Sequence, residues 1–334
     1  MDDLLTDAVA QLLRDQSTPD AVRAIEAGGA HGTLWQAIEE AGFADALVPE
    51  AQGGAGLALH EVFGLLRLCG THAVPVPLGE TVLARGWLAR AGVTVPRGST
   101  VFGDAEAETG NGELVCPLVR TGRVADQVLV ARGGALRLLP TATAQALPAG
   151  FALDVALRWP AQAWEAAPPV QGNAQELRLL QAALYAAQLA GALRAAFDRT
   201  LSYANERQQF GRPIGKFQTI QHQLAVMAEH VFAARTAAQL GCRATDLVPE
   251  PLHVAIAKAR TSEAALEVAS MAHAIHGAIG FTAEFDLQLF TRRLHAWRQA
   301  AGSESYWHGV AGRHHLDSGN ALVLDTIRAA TTIH

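Results

Sequence analysis

Residues 203–227 read YANERQQFGRPIGKFQTIQHQLAVM, and they carry more information about the fold than any other stretch of this chain. Arg207 and Phe210 stand at a predicted break between two helices. The Gly-Arg-Pro segment 211–213 is expected to end the first helix and begin the second, because Gly tolerates positive φ and Pro fits a first helical turn. Apolar residues then recur every three or four positions up to Met227, which predicts a second amphipathic helix.

The residue types at this break suit a planar, anionic ligand. The guanidinium of Arg207 can bind a phosphate, the ring of Phe210 can pack on a heteroaromatic group, and Gly211 permits close approach. An ion pair between Arg207 and Glu206 is the purely structural alternative.

Composition and charge limit the possible classes of protein. The chain has 334 residues, of which 50% are apolar and 17% charged, so it is expected to form two or three globular domains. A net charge of −6, without a Lys/Arg-rich run, argues against binding to nucleic acid or to an anionic membrane. No segment approaches the roughly 20 apolar residues that span a bilayer. The N-terminus has no signal-peptide pattern, and three scattered cysteines without a CxxC pair indicate a reducing, cytoplasmic compartment.

The pattern of residues changes twice along the chain and predicts an α+β, mainly α, multidomain fold. Residues 1–95 are expected to form an N-terminal helical domain, and residues 96–169 a small central β-domain with a hairpin at Gly133-Gly134. Residues 170–334 are expected to form a C-terminal four-helix bundle, whose first long helix is capped by Asn173.

Three motifs resemble the flavin-dependent acyl-CoA dehydrogenases. The pattern ER-x-QFG-x-PI-x-x-FQ-x-IQH-x-LA-x-M of residues 206–227 looks like the C-terminal bundle of that family. LVPEAQGGAGL at 47–57 and HGAIGF at 276–281 resemble two further family segments. The resemblance covers essentially the whole chain. It implies FAD as cofactor and the α,β-desaturation of an acyl-CoA thioester.

The resemblance also implies roles for individual residues. Arg207 would contact the FAD diphosphate, and Phe210 would pack on the cofactor. Gln218 and the turn with Gly277 and Gly280 would line the adenosine side. In this family such residues reach FAD seated in a neighbouring subunit, so the resemblance implies an oligomer.

The chain departs from the family where the catalytic base is expected. Counting from HGAIGF, the family's catalytic Glu falls on Ala301, which cannot accept a proton. A second family position for the base aligns near Gln181. The carboxylates nearest to these two positions are Glu304 and Glu176, which are the remaining candidates for the base.

The flavin seat also departs from the family pattern. Ala278 and Ala274 replace a family Gly and Gln, and the short β-domain lacks the TEPGAGSD-like and KxWITNG-like loops. A metal site is not expected, because His273 and His276 have no third ligand at a fitting helical spacing.

Three hypotheses follow. The favoured one is a subunit of a heteromeric acyl-CoA dehydrogenase that completes the FAD site of a homologous, catalytic partner. Some family members that act on steroid side chains or other bulky acyl-CoAs pair such unequal subunits, which implies lipid or steroid catabolism. The alternatives are an active homo-oligomer with a relocated base, and a non-enzymatic scaffold that kept the fold and lost the flavin.

Overall fold

The computed structural model describes residues 2–106, 112–319 and 322–331. The chain divides into two compact units, Met1–Leu65 with Val74–Gln181, and Leu66–Ala73 with Ala182–His334. The three-domain division at residues 95 and 169 stays a prediction.

The first unit begins with helices. They are α1 (Asp2–Gln16), α2 (Pro19–Glu26), α3 (Gly32–Glu40), the start of α4 (Phe63–Thr71), and α5 (Leu78–Arg90). Helix α5 is buried on all sides, and its Arg85 is only 3% exposed. Its guanidinium nitrogens lie 2.5 Å from a carboxylate oxygen of Glu39 and 2.9 Å from one of Asp45. These two ion pairs offset the cost of burying the positive charge.

Two small sheets complete the first unit. The strands are β1 (Thr100–Asp104), β2 (Leu114–Val119), β3 (Gln127–Arg132), β4 (Ala135–Pro140), β5 (Gln145–Pro148), β6 (Val155–Trp159) and β7 (Pro169–Val170), and α6 (Gln162–Ala166) lies between the last two. One sheet has the order β1-β3-β4-β7 and the other β2-β6-β5. The hairpin predicted at Gly133-Gly134 is confirmed, since both glycines have positive φ and Arg132 pairs with Ala135.

Long helices form the second unit. They are α7 (Ala174–Glu206, from Ala182), α8 (Gln218–Gly241), α9 (Pro251–His276), α10 (Leu287–Gln299), α11 (Glu304–Asp317) and α12 (Val323–Thr331). Helix α9 packs against α8, α10 and α11. The prediction of a mainly α fold with a small β region and a C-terminal helical bundle is therefore confirmed.

The break between α7 and α8 is not the sharp helix–turn–helix corner that the sequence predicted. Two short strands, β8 (Gln208–Gln209) and β9 (Arg212–Pro213), form a hairpin there. A 3₁₀ turn follows, and α8 begins only at Gln218, four residues later than predicted. The prediction was wrong because Pro213 adopts extended angles (φ −55°, ψ 138°) and so closes a strand instead of opening a helix.

Within the part of the chain that the structure describes, no helix is long and apolar enough to cross a membrane.

Candidate cofactor-binding surface

The hairpin between α7 and α8 presents an aromatic ring at its tip. Phe210 and Gly211 occupy the two turn positions with φ of 53° and 77°, the signs that a type I′ turn requires. A non-glycine residue at positive φ is strained, and such strain concentrates at functional sites. The Phe210 side chain is 91% exposed. The backbone therefore holds a large apolar ring in solvent at a conformational cost.

Two arginines lie in or next to this hairpin in the chain, Arg207 and Arg212. Arg207 is exposed, and none of the carboxylates in the described ranges pairs with it, so the ion pair with Glu206 considered above does not form. The Arg212 guanidinium lies 4.2 Å from the ring centroid of Phe217, and Phe210 meets that same ring edge-on at 6.1 Å. The hairpin thus presents cationic donors beside aromatic faces.

The other predicted cofactor residues lie on nearby segments of the same unit. Gln218 is exposed and is the first residue of α8. Gly277 opens a 3₁₀ turn (Gly277–Phe281) with φ 65°, and a Cβ added there would meet no atom within 4 Å. Gly280 is buried, and an added Cβ would lie 3.0 Å from the Cβ of His276. Gly277 therefore leaves room for a ligand, whereas Gly280 serves the packing of the turn.

An aromatic stack joins the end of α7 to this glycine turn. The ring of Tyr203 stacks on that of His276 with centroids 4.3 Å apart, and the Tyr203 hydroxyl donates to the His276 carbonyl oxygen at 3.3 Å. Phe285 packs against both rings. The helix that leads into the hairpin and the turn that begins at Gly277 are thereby held together.

A cavity of about 390 Å³ lies at the end of α7. It is lined by four carboxylates, one guanidinium, one hydroxyl and two aromatic rings: Asp198, Glu206, Glu284, Asp286, Arg199, Ser202, Tyr203 and Phe285. The excess of carboxylates repels a diphosphate. The surface of this region that suits an anion is therefore the exposed side of the hairpin, not this cavity.

The histidines near the turn are neutral groups in structural bonds. Burial lowers the pKa of His273, with repulsion from His276 and His295 as smaller causes, and burial also lowers the pKa of His276. The His276 Nδ1–H donates to the Ala272 carbonyl oxygen at 2.8 Å. Over the described residues, no group of three or more potential ligands could hold a metal ion.

The expected position of the catalytic base lies in a turn fixed by structural bonds. Ala301 has φ 54° and Gly302 φ 108°, and the Ala301 carbonyl oxygen accepts from the Trp307 indole at 3.1 Å. Fully buried Lys258 donates to the carbonyl oxygens of Arg298 and Gly302 at 2.8 and 3.0 Å. A third donation, at 2.9 Å, goes to the hydroxyl of Ser262 on α9.

Neither candidate base is poised to take a proton. Burial raises the pKa of Glu304, but hydrogen bonds from the backbone and from Arg298 outweigh it, so the pKa lies below its usual value. Glu304 also forms an ion pair with Arg298. Glu176 belongs to the first unit and accepts from the Trp87 indole at 3.1 Å. Gln181, the second aligned position, is on α7.

Sequence reasoning missed two of these features. Lys258 was not singled out, although a lysine within the Ala-rich run of α9, four residues before Ser262, could have signalled a buried role. The contact between Tyr203 and His276 joins residues that are 73 positions apart, and no local pattern predicts it.

The described chain thus combines a C-terminal helical bundle, a small β region and an exposed Arg-Phe-Gly hairpin. A family model described as "Acyl-CoA dehydrogenase, C-terminal domain" matches residues 175–314. The chain is 35% identical over 305 residues to acyl-CoA dehydrogenase IpdE2 of Mycolicibacterium smegmatis, covering 90% of this chain and 94% of the relative. The chain therefore belongs to the acyl-CoA dehydrogenase family, and the predicted resemblance is confirmed.

Solved structures agree on the fold. The ChsE4–ChsE5 complex of Mycobacterium tuberculosis matches with a TM-score of 0.79 at 24% identity, over 96% of this chain and 98% of the other. The "Tcur3481-Tcur3483 steroid ACAD G363A variant" matches with a TM-score of 0.78 at 23% identity, over 95% of this chain and 98% of the other.

Proposed function

We propose that this chain is a subunit of an FAD-dependent acyl-CoA dehydrogenase and that it completes the FAD site of a homologous, catalytic partner. The observation that carries this proposal is the outward hairpin. Its Phe210 ring is 91% exposed, and Arg207 has no carboxylate partner in the described ranges. A cation and a ring displayed on a strained loop suit a ligand that lies mostly outside this subunit.

The donor set fits FAD in chemical terms. Arg207 and Arg212 can donate paired hydrogen bonds to a diphosphate, Phe210 offers a face for a heteroaromatic ring, and Gly277 leaves open space. When bound, FAD supplies the acceptor for the hydride that leaves the substrate. The role of this chain is to bind and orient the cofactor.

The proposed substrate is an acyl-CoA thioester, as in the family. Removal of its weakly acidic α-proton needs a positioned base, and losing such a base typically costs about 10²–10⁴-fold in rate. This chain has Ala301 at the expected position, so we assign the base to the partner. Because one structural neighbour is described as a steroid ACAD, we propose a bulky lipid or steroid acyl group for this chain. We also propose a cytoplasmic location, because the three buried cysteines form no disulfide.

The two alternatives have less support. A homo-oligomer would need a relocated base. However, a backbone hydrogen bond and the hydrogen bond from Arg298 lower the pKa of Glu304, and Glu176 accepts a hydrogen bond from the Trp87 indole. A scaffold without flavin would have no use for the strained, exposed turn at Phe210.

Co-expression tests the proposal. The chain is purified alone and together with the product of a neighbouring dehydrogenase-like gene, and flavin absorbance and acyl-CoA oxidation are measured. Flavin and activity that occur only in the mixture support it. A yellow, active preparation of the chain alone would favour the homo-oligomer, and flavin in neither sample would favour the scaffold.

Arg207→Ala tests the hairpin within that mixture. Loss of a charge-assisted phosphate contact is expected to weaken FAD binding by about 10- to 100-fold. Exposed Arg313 on α11 provides the matched control, and Arg313→Ala should leave FAD affinity unchanged. Equal FAD affinity in the wild type and Arg207→Ala would rule out the clamp role.

A further inference from the structure

Three arginines from three helices converge in the second unit, away from the hairpin residues. They are Arg67 on α4, Arg194 on α7 and Arg235 on α8, and the last two lie close enough to Arg67 to repel its charge. Helices α4 and α7 nearly touch here, since a Cβ added at Gly191 would lie 2.0 Å from the Arg67 carbonyl oxygen. Arg194 follows Gly191 by one helical turn, so the close crossing brings its guanidinium towards Arg67.

Among the residues that the structure describes, the positive charge of this cluster is only partly balanced. Asp198 lies 2.7 Å from Arg194, but no carboxylate in the described ranges pairs with Arg67 or Arg235. Arg67 is half-buried, and its pKa is lowered by burial and then by the neighbouring arginines. A partly desolvated, unpaired charge destabilises a fold, and such local costs are typical of binding sites.

An exposed ring lies one helical turn from Arg235. Phe232 precedes Arg235 by three residues on α8, which places both side chains on one helix face. Its side chain is 61% exposed. Aromatic residues and arginines are enriched, and lysines depleted, at the centres of protein–protein interfaces.

We infer that Arg67, Arg194, Arg235 and Phe232 form an arginine surface that docks a carboxylate-bearing face of the partner subunit. The inference rests on the proposed function, because the partner is the dehydrogenase-family subunit invoked there. The partner's face is expected to carry carboxylates because the arginine surface is positively charged. The guanidinium groups are spread over three helices, and Phe232 lies on an open helix face, which suits a protein surface better than a small anion.

The complex with the co-expressed subunit tests the surface. Affinity is measured by interferometry for the wild type, Arg235→Glu, Phe232→Ala and, as a matched charge control, Arg313→Glu. We expect Arg235→Glu to weaken assembly by at least about 30-fold and Phe232→Ala by about tenfold, while Arg313→Glu stays at the wild-type value. Assembly should also weaken as NaCl is raised. Unchanged affinity in Arg235→Glu and Phe232→Ala, or no complex with the wild type, would overturn the inference.

The isolated chain gives a second readout that does not depend on the partner. Arg67→Met keeps the apolar stem and removes the unpaired charge, so its melting temperature should rise, whereas a structural role for Arg67 predicts a fall. Inorganic phosphate is the probe for a small-anion site. If phosphate raises the melting temperature of the wild type above that in equal ionic strength of chloride, and not that of Arg235→Gln, the surface is a small-anion site and the inference is overturned.

The outcomes separate this inference from the proposed function. A complex that depends on Arg235 but holds no FAD would contradict the proposed function and leave the arginine surface standing. A complex that holds FAD and assembles equally well with Arg235→Glu would contradict the arginine surface and leave the proposed function standing.

Discussion

Two turns of this molecule share one unusual backbone angle and have opposite surroundings. Phe210 and Ala301 both adopt positive φ, at 53° and 54°. Phe210 is almost fully exposed at the tip of a hairpin, and Arg207, which precedes this hairpin, has no carboxylate partner in the described ranges. Ala301 lies in a turn whose neighbouring carbonyl groups accept from buried Lys258. Both turns are strained, so strain alone does not identify a binding site. Their surroundings make the Phe210 turn a candidate binding site and the Ala301 turn a structural one.

The largest predicted effect concerns the structural turn at Ala301. Lys258→Met leaves the carbonyl groups of Arg298 and Gly302 without their donor, so we expect the free energy of unfolding to fall by about 3–5 kcal/mol. Urea denaturation measures it. The chain's other lysine, exposed Lys216, is the matched control. The free energy of unfolding of Lys216→Met should stay within about 0.5 kcal/mol of the wild-type value. A loss below about 1 kcal/mol for Lys258→Met would show that the turn does not depend on this lysine.

A substitution at the Phe210 turn should raise stability and lower FAD affinity. Phe210→Gly relieves a strained φ, so the isolated chain should become more stable by about 1 kcal/mol. The same change removes the exposed ring, and FAD affinity of the assembled complex should fall by about tenfold. If FAD affinity is unchanged, Phe210 has no part in cofactor binding, whatever its stability effect.

The same substitution at the structural turn should change stability alone. Ala301→Gly is expected to raise the free energy of unfolding by about 0.5–1 kcal/mol. It should leave FAD affinity and turnover at wild-type values. Ala301→Glu should not give the isolated chain measurable acyl-CoA oxidation, because the turn is fixed by Lys258 and the hairpin surface is unchanged. Activity gained by Ala301→Glu would mean that the turn can still present a base.

The smallest expected effect is a pH dependence from the buried histidines. The pKa of His273 and of His276 is lowered in the folded state, mainly by burial. The unfolded chain therefore binds more protons, and stability is full above the ordinary histidine pKa and declines as pH falls below it. Urea midpoints at pH 7.5 and 5.5 measure the decline. His276→Gln should show a smaller difference than the wild type, and an equal difference would exclude this histidine as a cause.

The regular parts of the fold could be predicted because their signals are local. The hairpin at Gly133-Gly134 follows from two glycines between apolar runs. The start of α7 follows from Asn173, whose side-chain oxygen accepts from the Gln175 amide at 2.9 Å. The hairpin at Phe210 was missed because a Gly-Arg-Pro sequence fits either a helix start or a strand end.

The candidate site was only partly predictable. Arg207 and Phe210 could be proposed from residue type and spacing, and the exposure of both agrees with a binding role. Two of the acceptors of Lys258 are backbone carbonyl groups 40 and 44 residues away, and the three arginines come from three separate helices. Backbone acceptors carry no residue signature, so such contacts emerge only from the tertiary fold.

The aromatic stack of Tyr203, His276 and Phe285 has a further consequence for how ligand would be taken up. It sets the spacing between the base of the hairpin and the Gly277 turn before any ligand arrives, so little conformational entropy is lost on loading. A substitution at Phe285 would let the two segments drift apart although that residue carries neither a phosphate donor nor the exposed ring. We therefore expect Phe285→Ala to slow FAD uptake more than it speeds FAD release.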